Sequence, residues 1–236
     1  MESITEHDLV FEEVIYKTEL VEVLKAKLKS TKEPVAVKKL ITKSIEDENI
    51  YNREMRIIDR LEHRNIVGIR GYLKGKRDKE EYVLFVMNFY RKGNLQNEID
   101  RRKNLNQRWP EKELLHHMKS LIEVFSYLQK ENFVHRDIKP QSILIGDNDE
   151  LLVPSLGRII KNSDNSDEKT IVGTPLYLSP ILREALKDQA NKRVIHDVFK
   201  SDVYSLGLTF YYMACLNDVF EFVSLDQLQA RLNSRI

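Results

Sequence analysis

The segment 134–142, with the sequence VHRDIKPQS, constrains the fold of this chain more than any other stretch. Two apolar residues lead into the triplet His135-Arg136-Asp137, and Lys139 and Pro140 follow at fixed offsets. The pattern is typical of a short strand that runs into a polar loop, and so many fixed positions rarely coincide by chance. This loop therefore identifies the fold more specifically than any bulk property does.

The N-terminal part of the chain has the alternation of a β-sheet. Residues 11–40 are rich in β-branched residues, with lysine- and proline-containing breaks near 29–34, and this pattern predicts three antiparallel strands. Residues 66–73 and 81–88 predict two more strands, joined by the charged turn 74–79. The N-terminal part is thus predicted to be a small antiparallel sheet.

One helix is expected within this part, over residues 45–61. Ile50, Ile58 and Leu61 fall on one helical stripe. Glu54 lies inside the same stripe, where an unpaired carboxylate would be costly. Glu54 is therefore expected to have a cationic partner.

The strand 35–38, with the sequence VAVK, places different chemistry on its two sides. Successive residues of a strand point to opposite faces, so Ala36 and Lys38 share one face. Val35 and Val37 are expected to pack on the other. One face is therefore small and cationic.

The chain changes to a helical pattern after residue 88, which predicts two units, residues 1–88 and 89–236. The second is predicted to be mainly helical, with two short strands and a polar loop. Its predicted elements are helices at 95–101 and 111–130, strands at 142–145 and 151–153, the loop 161–170 and an apolar helix after Asp202.

Two further motifs follow the loop 134–142 in order. Residues 173–180 read GTPLYLSP, and residues 201–207 read SDVYSLG. With the VAVK strand, this ordered set resembles the serine/threonine branch of the eukaryotic protein kinase domain, over about residues 11–216. The resemblance implies an α+β, two-lobed fold: an antiparallel β-sheet N-lobe with one helix, and a mainly helical C-lobe.

The resemblance also implies roles for individual residues. Asp137 would accept or orient the proton of a substrate hydroxyl, and Lys139 would neutralise the transferring phosphate. Lys38 would hold the α- and β-phosphates of ATP through Glu54. Asp202 would tie the buried helix to the backbone of the catalytic loop.

Further positions correspond to the family's nucleotide pocket and activation loop. Val23 and Ala36 would line the adenine site, Met87 matches the gatekeeper, and backbone groups near Phe89 would meet adenine. Ser163, Ser166, Thr170 and Thr174 lie in the corresponding activation loop, where Arg136 would receive a phosphate.

The chain departs from the family where phosphate and metal are held. Tyr16, Thr18 and Val21 occupy the positions of the glycine-rich loop, although close approach to phosphates needs residues without Cβ. Ser142 and Ser155 occupy the positions of the two magnesium ligands, an asparagine and the aspartate of the D-F-G motif. Neutral hydroxyls are weak ligands for a hard dication, so no metal residue is assigned.

A further departure is Ile181, which stands where the family has a glutamate. That glutamate pairs with an arginine further along the C-lobe, beyond residue 236. The chain is therefore expected to be a C-terminally truncated member that lacks the last helices of the lobe. Apolar surface on the helix after Asp202 would then be exposed.

Composition narrows the possible partners. The chain has 38 Lys and Arg against 37 Asp and Glu, so no global field favours nucleic acid. The apolar segment 203–216 is too short to span a membrane, and the N-terminus lacks a secretory pattern. With Cys215 as the only cysteine, a cytoplasmic location is expected.

These observations predict a pseudokinase: a kinase-like signalling domain that acts as a binding, scaffolding or allosteric module, with weak or no phosphoryl transfer. Weak ATP binding and a protein partner are expected, whereas Mg²⁺ is not expected to be well held. The alternative is a divergent serine/threonine kinase of low activity, which transfers the ATP γ-phosphate to protein hydroxyls and uses Lys38, Asp137 and Lys139, with metal bound mostly by ATP itself.

Overall fold

A computed structural model describes residues 4–19, 21–42, 60–77, 80–154, 159–162, 168–187 and 193–216. The chain divides into two compact units, Met1–Arg91 with Leu152–Gly157 and Lys92–Leu151 with Arg158–Ile236. The sequence predicted a boundary after residue 88 and no later segment in the first unit. Glu54 with most of its predicted helix, and Ser155, lie outside the described residues.

The first unit contains a five-stranded antiparallel sheet of order β1-β2-β3-β6-β5. A short sixth strand, β4, pairs in parallel with β9. The α+β class and the antiparallel sheet are confirmed. The strands are β1 (Leu9–Lys17), β2 (Val21–Leu28), β3 (Pro34–Thr42), β4 (Ile66–Val67), β5 (Ile69–Arg77), β6 (Glu80–Asn88) and β9 (Leu151–Pro154).

The two faces of this sheet differ as the alternation in β3 predicts. Val35 and Val37 are fully buried in an apolar cluster that also takes in Ile4 and Leu9 from the N-terminal segment. The opposite face carries Lys38, whose cross-strand neighbour on β6 is Phe85. The sheet therefore has one face that packs on an apolar cluster and another that carries a buried cation.

The predicted strand 66–73 is wrong in its extent. Residues 66–67 belong to β4, and β5 begins at Ile69 with an irregularity in register before Gly71. The predicted turn 74–79 is mostly strand, since β5 continues to Arg77 and β6 begins at Glu80. Opposite charges explain the extension, because Lys76 and Glu81 face each other with Nζ and Oε1 2.9 Å apart.

Within its described residues, the second unit contains four α-helices and five short strands. Its helices are α1 (Leu95–Asn104), α2 (Glu111–Lys130), α3 (Pro180–Ala185) and α4 (Val198–Cys215). Its strands are β7 (Phe133–Val134), β8 (Leu144–Ile145), β10 (Ile160–Lys161), β11 (Glu168–Thr170) and β12 (Arg193–Ile195). Helix α2 has the predicted bounds, whereas α4 begins before Asp202 because Asp197 caps it, accepting from the backbone N–H of Phe199 and Lys200.

The region predicted as the polar loop 161–170 contains strand structure at both ends. Strand β10 pairs with β7, and β11 pairs antiparallel with β12. Strand β12 was not predicted. Its partner lies more than twenty residues earlier in the chain, and such a distant pairing leaves no local signal.

Helix α4 carries an exposed apolar side chain beside α2. Val203 is 65% exposed, and Ile122 of α2 is 53% exposed. Both line an apolar groove of about 440 Å³ between α2 and α4. Among the helices described, none is both long and apolar enough to cross a membrane.

Candidate functional site

The backbone of the loop 134–142 is held by a carboxylate from α4. Asp202 accepts hydrogen bonds from the backbone N–H groups of His135 and Arg136, at 2.7 and 2.8 Å. Arg136 has a φ of 65°, in the left-handed region that a non-glycine residue rarely adopts. Asp202 therefore stabilises a backbone conformation that is costly by itself.

The environment of Asp202 also changes its titration. Burial raises the pKa of Asp202 to about 6, against the effect of the two backbone N–H groups, which favour the carboxylate. Desolvation is therefore the larger influence. Asp202 thus binds the backbone of the loop, as the sequence predicted.

Asp137 and Lys139 are brought together, and Thr174 joins them. The Lys139 ammonium lies 3.2 Å from Asp137 Oδ2, and the Thr174 hydroxyl donates to Asp137 Oδ1 at 2.7 Å. Lys139 also donates to the Thr174 hydroxyl. Asp137 is only 5% exposed, and the Lys139 ammonium and the Thr174 hydroxyl compensate its buried charge.

Sequence reasoning named Thr174 as a modification site and missed its contact with Asp137. The available signal was its place directly after Gly173. Gly173 has a φ of +128°, and a Cβ there would lie 2.6 Å from the carbonyl oxygen of Arg136. Only glycine suits this close approach, which positions the next residue against the loop.

Ser142 is bound to the backbone of its own loop. Its hydroxyl accepts from the N–H of Lys139 at 3.1 Å. The same oxygen lies 2.9 Å from the carbonyl of Asp137 and 2.8 Å from that of Lys139, and its single hydrogen is shared between them. Ser142 therefore closes a local turn.

Of the two positions that correspond to the family's magnesium ligands, Ser142 is the one within the described residues, and its chemistry does not suit a divalent metal. Ser142 offers a neutral hydroxyl that is already hydrogen-bonded, whereas Mg²⁺ prefers carboxylate and carbonyl oxygen with waters. Across the described ranges, no group of three or more His, Cys, Asp and Glu side chains is placed to hold a metal ion.

In the first unit, the predicted nucleotide-contacting residues lie on one face of the sheet. Val23 is the cross-strand neighbour of Lys38, and Ala36 is that of Met87. Lys38 is only 8% exposed. Phe89 follows β6, and its ring lies 5.4 Å from the ammonium of Lys25. These positions together form a mainly apolar surface with one buried cation.

The hairpin between β1 and β2 is closed at the position of the expected phosphate loop. Thr18 N–H donates to the carbonyl of Val21 at 2.7 Å, and the N–H of Val21 donates to the Thr18 hydroxyl at 3.1 Å. An ion pair between Lys17 and Glu22, at 3.0 Å, adjoins this turn. The backbone N–H groups of Thr18 and Val21, on either side of the tip, are therefore both hydrogen-bonded within the hairpin.

Comparison with known proteins agrees with this fold. The family model described as "Protein kinase domain" matches residues 13–234. This match covers most of the chain, which therefore belongs to the protein kinase domain family.

Individual relatives are serine/threonine kinases of several lineages. The chain is 28% identical over 215 residues to the serine/threonine-protein kinase atg1 of Dictyostelium discoideum, covering 87% of this chain and 30% of that protein. It is 28% identical over 203 residues to an Aurora kinase of Eremothecium gossypii, covering 85% and 51%. The aligned part spans between 13% and 51% of the length of these and similar curated relatives.

Proposed function

We propose that this domain of the serine/threonine kinase type is a pseudokinase, a binding or scaffolding module with weak or no phosphoryl transfer. The observation that carries the proposal is the hydroxyl of Ser142, which is bound to the backbone of its own loop. Catalysis of phosphoryl transfer depends on positioned charge, and a metal supplies much of it. Without a metal ligand at position 142, the rate of phosphoryl transfer is expected to fall by orders of magnitude.

The closed hairpin supports the same proposal. The N–H groups of Thr18 and Val21 are hydrogen-bonded within the turn, so they are not available to phosphates. Val21 also carries a β-branched side chain where close approach needs glycine. Weak contact with phosphates is the expected result.

Weak nucleotide binding remains part of the proposal because the sheet face is suited to it. Val23, Ala36 and Met87 offer small and apolar contacts beside the buried ammonium of Lys38. ATP would then bind through its base and Lys38 with little help from metal. A protein partner in the cytoplasm would recognise the shape of the domain.

A thermal-shift titration tests the nucleotide part. ATP at tenfold its dissociation constant should stabilise the protein by about 1.4 kcal/mol, with or without Mg²⁺. Lys38→Met should abolish this shift. Lys39→Met is the matched control, since Lys39 lies on the opposite face with its ammonium over the ring of Tyr82. A shift that requires Mg²⁺ would contradict the proposal.

A transfer assay tests the catalytic part. The intact chain and Asp137→Asn are incubated with labelled ATP, Mg²⁺ and a basic peptide or with no added substrate. We expect equal, background incorporation in both proteins. Incorporation by the wild type that disappears in Asp137→Asn would establish an enzyme.

The competing function is a slow serine/threonine kinase, and one observation favours it. Asp137, Lys139 and Thr174 contact one another in an arrangement suited to accept a hydroxyl proton and neutralise phosphate. The double substitution Ser142→Asn with Ser155→Asp separates the two functions. A gain in transfer would locate the defect in the metal ligands, whereas no gain would implicate the closed hairpin.

A further inference from the structure

We propose that β12 is a strand clamp: it holds β11 by backbone pairing and thereby keeps Thr174 on Asp137. The clamp concerns the second unit alone. It applies whether the domain binds ATP weakly or transfers phosphate, so it does not depend on the proposed function.

The pairing between the two strands is regular and short. Glu168 is opposite Ile195, Lys169 is opposite Val194, and Thr170 is opposite Arg193. A ladder of this length holds a chain segment only if one of its strands is itself fixed.

Strand β12 is fixed by the start of α4. His196 is the one residue between the strand and Asp197, which caps α4 by accepting from the N–H groups of Phe199 and Lys200 at 3.0 and 3.1 Å. A ring nitrogen of His196 also lies 3.2 Å from the carbonyl of Val194. Strand β12 therefore extends from a rigid helix, and β11 pairs with it.

Strand β11 is connected to the site through a short tether. Three residues separate Thr170 from Thr174, and the last of them is Gly173, which lies directly against the carbonyl of Arg136. A displacement of β11 would therefore pull on the contact between Thr174 and Asp137, because the intervening chain is too short to absorb a large movement.

The ladder to β12 attaches β11 to the rest of the unit beside a cavity. Thr170 and Arg193 both line a cavity of about 120 Å³, which Arg136, Lys161 and His196 also line. Side chains around an open cavity lose dispersion contacts on that side. The outer side of β12 is accessible, since Ile195 is 68% exposed.

Two proline variants test the clamp through its hydrogen bonds. Along a strand, successive N–H groups alternate between the neighbouring strand and the opposite direction, so only one of Val194→Pro and Ile195→Pro removes a ladder bond. We expect the amides of 168–174 to exchange at least tenfold faster in one variant, with near wild-type exchange in the other. Equal effects in both variants, or none in either, would overturn the proposal.

The rate at which Lys139 is acylated measures separately whether Thr174 has left Asp137. The Lys139 side chain is 22% exposed beside Asp137, whereas that of Lys187 is 73% exposed and serves as an internal reference. Acylation of Lys139 should accelerate several-fold in the proline variant that breaks the ladder, with no change at Lys187. Faster exchange of β11 with an unchanged Lys139 rate would overturn the link to Asp137.

A pair of cysteines tests the register even if a proline variant fails to fold. In a Cys215→Ser background, Lys169→Cys with Val194→Cys places two thiols at opposed positions of the ladder. This pair should form a disulfide under mild oxidation and slow the acylation of Lys139. The control, Lys169→Cys with His196→Cys, is out of register and should form at least tenfold more slowly. Equal rates for the two pairs would overturn the proposal.

Discussion

The catalytic-type loop of the second unit and the β1–β2 hairpin of the first show two outcomes of sequence change in one domain. In the loop, Asp202 still binds two backbone N–H groups, and Gly173 still brings Thr174 to Asp137. In the hairpin, Thr18 closes the turn with its own hydroxyl and backbone. The residues that position the backbone of the loop match the family pattern, whereas those at the glycine positions of the hairpin do not.

Within the loop, Ser142 is a replaced residue that behaves like Thr18 of the hairpin. Like Thr18, it uses a hydroxyl to bind nearby backbone groups. A short hydroxyl side chain competes well for adjacent N–H and C=O groups, so it stabilises a turn and offers little to a ligand. Local stability and ligand binding are therefore separable at these positions.

The largest expected effect tests the retained framework. Asp202→Ala should lower the free energy of unfolding by about 3 to 5 kcal/mol, because two N–H groups of the loop lose a charged acceptor. Urea denaturation measures the loss. Asp197→Ala is the control: it also removes an acceptor of two N–H groups, but at the exposed end of α4, and should cost about 1 kcal/mol. Similar losses in both variants would show that the loop does not depend on Asp202.

The second prediction concerns pH and the same carboxyl group. Its pKa is raised by burial from 3.8 to about 6, so the folded state binds the proton more tightly than the unfolded state. Asp202 should therefore make unfolding easier as pH rises from about 4 to 6, by up to about 3 kcal/mol. Denaturation at several pH values should show this fall in the wild type and a flatter profile in Asp202→Asn. If the stabilities of the wild type and Asp202→Asn changed with pH in parallel, the raised pKa of Asp202 would be contradicted.

The third prediction compares two glycines of the second unit. Gly173→Ala should destabilise by about 2 kcal/mol, because the new Cβ meets the carbonyl of Arg136 in a left-handed backbone. Gly207→Ala in α4 should instead stabilise by about 0.5 to 1 kcal/mol, since nothing lies within 4 Å of its Cβ position. Thermal unfolding measures both. If Gly173 has a positioning role, the two substitutions must change the free energy of unfolding in opposite directions.

The smallest expected effects concern the two hydroxyls. Ser142→Ala and Thr18→Ala should each cost about 1 kcal/mol, because each removes a hydrogen bond that closes a turn. Neither should alter the response of the melting temperature to ATP and Mg²⁺. A variant that loses a Mg²⁺-dependent shift would show that the hydroxyl binds the metal after all.

Local pattern predicted much of the architecture. The bounds of α2 and the two faces of β3 were correct because each depends on hydrophobic periodicity within one element. The extent of β5 was wrong because charged residues paired across strands continue the sheet. The start of α4 was predicted too late because the cap at Asp197 was not recognised. These errors concern ends of elements, where partners decide the outcome.

The site was predicted less completely than the fold. Asp137, Lys139 and Asp202 could be named because their motifs have fixed spacing, and the structure brings Asp137 and Lys139 into contact. The role of Thr174 depends on a contact across 37 residues of sequence. The pairing of β11 with β12 likewise has no local signature.

The sequence by itself determined the family, the class of fold and the residues that replace the usual ligand groups, because these are matters of residue type and spacing. Only the tertiary structure decided what the replacements do. Whether the hydroxyl of Ser142 faces a ligand or its own backbone depends on where the chain turns, and the structure turns it onto the carbonyls of Asp137 and Lys139. Hydrogen bonds form between groups that are close in space, and distance along the chain does not fix that proximity.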